Sequence, residues 1–172
     1  MSDLQSLAKK KAEAKMQRNF AVLSKTIEAI KNEGAGKGNL LSGATLKRVL
    51  TACKQATDTQ CHVVIAEYRW AIEQAVFASQ SWVNRLVLDA IQSLEPLHVE
   101  SEKHIRKVCL LIDKSELANS LVSDLKTTEI AAANDIALAL KSSFAERSSG
   151  LVKSIFGFFP RLLSRLFGGG AA

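Results

Sequence analysis

The sequence predicts an all-α protein, a bundle of long antiparallel helices ending in a basic amphipathic segment. Three observations carry this. Glycines cluster at 34, 36, 38 and 43 and do not recur until Gly150, too long an interval for a sheet protein with many turns. Within it the only proline is Pro96, and Ala, Leu, Lys and Glu, which favour helix, are abundant. Apolar residues along it recur at spacings of three and four, the period of a helix with one buried face.

The 172 residues suffice for one domain with a core, and at 47% hydrophobic and 23% charged there is enough apolar surface to offset chain entropy. The pattern divides the chain into a basic amphipathic helix over 1–32, a glycine-rich linker over 33–43, a helical bundle core over 44–149 and a tail over 150–172. A net charge of +6 suits an anionic partner, either a membrane or a nucleic acid.

The first helix starts at Ser2 or Asp3, with Ser2 and Gln5 spaced as a capping box. Met16, Phe20, Leu23, Ile27 and Ile30 form one apolar seam, and the Lys9-Lys10-Lys11, Glu13 and Lys15 stretch before it reads as a solvated, basic half. The glycine run that follows lacks the G-x-x-x-x-G-K-[ST] spacing and a preceding strand, so it reads as a hinge and not as a phosphate loop.

A second helical block starts near Ser42 or Thr45 and runs to Leu94. Ala56 to Gln60 is the expected bend, because these polar side chains compete for backbone hydrogen bonds, and Asp58 or Thr59 would cap the restart. Cys61, Val64, Tyr68, Ile72, Ala75, Ser79, Trp82, Leu86 and Leu94 form an inner stripe. Val63, Trp70, Phe77, Val87 and Ile91 widen it, as in a central helix touched on several sides. Arg69–Glu73 and Arg85–Asp89 have i,i+4 spacing for ion pairs on the outer face. Glu95-Pro96 ends the block. From Leu97 to about Arg147 the chain returns, antiparallel if the connection is short, with seams at Ile105, Val108 and Ile112, at Leu117, Leu121 and Leu125, then at Ile130, Ile136, Leu140 and Phe144. Asp113 with Glu116, and Thr127-Thr128, are the expected breaks.

Catalysis, cofactors and metals are not expected. Cys61 and His62 are adjacent and point about 100° apart on a helix. His62, His98, His104, Cys53, Cys61 and Cys109 have none of the common zinc-ligand spacings. With no secretory leader in evidence, three thiols suggest synthesis in a reducing cytoplasm. No apolar run reaches the roughly 18–20 residues that cross a bilayer: Val63 to Leu94 is broken by Glu67, Arg69, Glu73, Arg85 and Asp89. The basic first helix lacks aromatics for base stacking, so nucleic acid is not the expected partner.

The tail is the candidate binding site. Leu151, Val152, Ile155, Phe156, Phe159, Leu162, Leu163, Leu166 and Phe167 recur in pairs every three to four residues. Lys153, Arg161 and Arg165 lie opposite, with no acid anywhere after Glu146. An apolar aromatic face under a wholly cationic polar face is the pattern of an interfacial membrane helix. Pro160 is expected to kink or divide it. Three occupants of the apolar face remain open: an anionic membrane surface, a neighbouring subunit of a homo-oligomer, and the protein's own bundle. In architecture alone, long helices with such a segment resemble helical pore-forming, membrane-remodelling and virion membrane-penetration proteins. The expected protein is therefore non-enzymatic, self-associating, and peripheral on a membrane. The alternative is a structural or scaffold subunit whose tail binds another chain.

Overall fold

The structure, a computed structural model, describes residues 2–38 and 42–167, with side chains for 3–38 and 42–149. It is helical throughout: α1 (Ser2–Gly36), α2 (Gly43–Gln74), α3 (Gln80–Gln92), α4 (Glu95–Leu111), a 3₁₀ turn (Ser115–Leu117) and α5 (Ala118–Phe167). Among the described residues, no helix is long and apolar enough to cross a membrane.

Cross-helix contacts fix the direction of each element. Asn19 donates to the Ala56 carbonyl and Arg48 pairs with Glu33, so α1 runs antiparallel to α2. Tyr68 donates to Asp89, and the Cys53 thiol to the Ser101 carbonyl, so α3 and α4 together return antiparallel to α2. Lys54–Asp124 and Cys61–Ala132 make α5 parallel to α2. The result is an up-down-up-down bundle whose third member is split in two. Helix α2 touches all four other helices, the central position its wide apolar stripe predicts.

The core forms two clusters along α2. One gathers Val64, Tyr68, Ile72, Trp82 and Leu86 with Ile136 and Leu140 of α5. The other gathers Leu23 and Ile27 of α1 with Val49, Ile105, Val108 and Leu125. The basic half of α1 packs on the first cluster through its small residues, while Lys10, Glu13 and Lys15 on its other sides are exposed. Ala8 and Ala12 are fully buried, their small side chains letting α1 approach closely, and Gln60 donates to the Ala12 carbonyl. Lys9 pairs with Asp89, Lys15 with Glu67, and the Lys11 ammonium lies 3.7 Å from the Trp70 ring centre. Lys9, Lys11 and Lys15 thus lie against acidic or aromatic groups of the helices beneath them.

Several boundaries fall away from their expected places. The α2 helix passes unbroken through Ala56–Gln60. Thr57 and Thr59 hydroxyls bond back to the carbonyls of Cys53 and Gln55, four residues earlier, and so leave the helix intact. The break lies instead at Ala75–Ser79, where Ser79 N-caps α3 through Trp82 N–H. Asp89 faces inward to Lys9 and Tyr68, away from the outer-face pairing with Arg85 that its spacing suggests. The helix does end beside Glu95-Pro96, with α3 closing at Gln92 and Pro96 in the first turn of α4, where a missing N–H costs nothing, but the chain does not reverse there: α4 continues in the direction of α3. Asp113 does mark a reversal, but as a terminator. With φ of 54° it closes a Schellman motif, its own N–H bonding Leu110 O and Lys114 N–H bonding Cys109 O. Thr127 bonds back to Ser123 O and α5 continues. Of the seam residues, Ser79, Phe77, Leu117 and Ile130 are exposed.

Candidate functional site

The tail residues singled out by sequence, Leu151 to Phe167, belong to α5, which is helical to Phe167. Their side chains lie outside the described residues, as does the effect of Pro160. What the structure does place is the point from which the tail departs. Arg147, in the last turn of α5 whose side chains are described, donates through its two terminal guanidinium nitrogens to the carbonyls of Ile72 and Ala75. These are carbonyls at the C-terminal end of α2, which lack partners within the helix. A guanidinium is a good match to them, because it brings several donors in a fixed fork and a charge that suits the negative end of a helix.

Because α2 and α5 are parallel, this contact sets the start of the tail level with the α2–α3 turn. Leu4 of α1 and Gln74, Ala75, Val76 and Phe77 of that turn line a shallow groove at the same end. Val76 and Phe77 are 76% and 80% exposed, the most exposed of the large apolar side chains described. By periodicity Phe77 falls on the buried stripe, as a continuation of α2. The helix break at Ala75, which the period does not reveal, turns the side chain outward. Two signals for the break were in the sequence: Ser79 as a free-standing N-cap, and the absence of any charged residue between Glu73 and Arg85.

The cysteines and histidines lie on α2 and α4. Cys53, Cys61 and Cys109 are buried and unpaired. Burial pushes the thiols of Cys53 and Cys61 up to about 11, and Cys109 upward as well, so all three stay protonated and weakly nucleophilic. His62 is exposed, His98 Nδ1 lies 3.0 Å from Glu129, and His104 Nε2 lies 3.4 Å from both Ser24 and Glu100. Burial is the main cause that lowers the His104 pKa. Among the described residues no group of three or more His, Cys, Asp or Glu side chains converges as a metal site. Comparison with protein-family models, curated proteins and solved structures finds no match for this chain.

Proposed function

We propose that the protein is a non-enzymatic helical bundle that self-associates and attaches to an anionic membrane surface through residues 151–167. The single observation behind this reading is the tail's charge pattern: apolar and aromatic residues on one side, and only cations on the other. A helix solvated on its polar face ordinarily mixes signs, whereas one lying on anionic headgroups gains from carrying a single sign. Each basic residue near such a surface adds about 1 kcal/mol, so Lys153, Arg161 and Arg165 supply on the order of 3 kcal/mol beyond apolar insertion. The position of Arg147 supports the reading, since it leaves the tail departing from an end of the bundle and not from its flank.

Co-sedimentation of the intact protein with phosphatidylcholine vesicles, with and without phosphatidylserine, tests it. Binding is expected to need the anionic lipid. It should disappear on truncation after Ser149 and fall sharply when Lys153, Arg161 and Arg165 are all replaced by Glu. Intact protein that ignores both vesicle types contradicts the proposal. A truncated form with a changed assembly mass in the absence of lipid would instead make the tail a subunit contact.

A further inference from the structure

We infer that the Val76–Phe77 turn is a second membrane contact, inserting into the same leaflet as the tail. This rests on the membrane reading of residues 151–167 and adds to it a site on the folded bundle itself. Three independent observations converge on the turn. Its two apolar side chains project at 76% and 80% exposure from a helix end, where no described residue covers them. No charged residue lies between Glu73 and Arg85, so entering the headgroup region desolvates no charge within this stretch of chain. The helix ends on either side are tied down: Arg147 takes the carbonyls of Ile72 and Ala75, Ala75 N–H bonds Ala71 O, and Ser79 Oγ accepts from Trp82 N–H.

Arg147 joins this turn to the helix that carries the tail. An unsatisfied helix end is costly to move out of water, and Arg147 supplies donors to two of the carbonyls at the end of α2. The same side chain fixes the turn beside the start of the tail, at Leu151 four residues later. Docking the tail on a leaflet therefore brings Val76 and Phe77 towards it with little additional loss of freedom, as in any two-point attachment. A protein partner is the competing occupant, and the test separates the two.

The experiment uses the full chain and vesicles of phosphatidylcholine with phosphatidylserine. The Val76→Ser/Phe77→Ser double variant should bind at least about tenfold more weakly than the parent. It should keep its dependence on lipid charge, its melting temperature and its assembly mass, since both positions are exposed. In a Phe77→Trp variant the added emission should be quenched by vesicles of brominated lipid. Undiminished binding of the double variant, with emission from the introduced indole indifferent to bromine, overturns this inference and leaves the tail reading standing. Failure of the parent to bind removes both. A double variant that changes assembly mass without lipid also overturns it, by making the turn a contact between protein chains.

Discussion

Asp89 accepts hydrogen bonds from Tyr68 Oη and Lys9 Nζ, each at 2.9 Å, and so ties α1, α2 and α3 together through one carboxylate. Burial is the largest influence on its pKa and acts upward, but the donors from Lys9, Tyr68 and Gln5 together outweigh it and hold the group below its ordinary 3.8. A carboxyl held low in the folded state stabilises the protein above its unfolded value, and that contribution is lost as pH falls through the lowered one. Tyr68 is fully buried, so Tyr68→Phe removes the donor without opening a cavity. It should cost about 1.5–3 kcal/mol near neutral pH, the range for a hydrogen bond to a charged group. Urea denaturation at a series of pH values checks this. The gap between parent and variant should narrow once pH drops well below 3.8, and a gap independent of pH would place the effect in packing instead.

At the scale of elements, the Ala75–Ser79 break distinguishes this bundle from one built on a single helix running to Leu94. It lets α3 pack Trp82 and Leu86 against α2 and α5, and it depends on Ser79 capping the new helix. Ser79→Ala should therefore destabilise the protein by about 1 kcal/mol, the usual worth of an N-cap. Leu86→Ala, at a fully buried position, should cost about 2–5 kcal/mol. Both are read from denaturant midpoints at constant slope. A neutral Ser79→Ala would mean that packing alone restarts the helix. The capping serine was legible as a residue type, but not as a boundary, because the apolar period runs on through Phe77 without a visible interruption. Conversely Ala56–Gln60 looks like a break in sequence. It is held helical by tertiary partners, Asn19 on the Ala56 carbonyl and Gln60 on Ala12.

For the whole molecule, the bundle and the tail meet at Arg147. Ending the chain after Ser149 preserves both of its contacts to α2 and should leave the melting temperature unchanged. Ending it after Glu146 removes the guanidinium from the Ile72 and Ala75 carbonyls. That should lower stability by about 1.5–3 kcal/mol, as for other charge-assisted hydrogen bonds. Thermal melts of the two truncations against the full chain decide between a self-sufficient bundle and a tail that forms part of its core. In the second case the Ser149 truncation already melts early.

The sequence by itself determined the helical class, the central position of the Tyr68 and Ile72 stripe, the break at the glycine-rich connector, and the tail's segregated charge. Each of these follows from local spacing or backbone preference, which acts within a few residues. Tertiary structure decided the rest. It buried Ala8 and Ala12, turned Asp89 inward, kept α2 whole through Thr57, broke it at Ala75 and exposed Val76 and Phe77. Several of those outcomes rest on partners far away in the chain, such as Lys9 for Asp89 and Arg147 for Ala75. A periodic pattern reports that a face is apolar; only the packed neighbours determine whether that face is covered or left bare at a bundle's end.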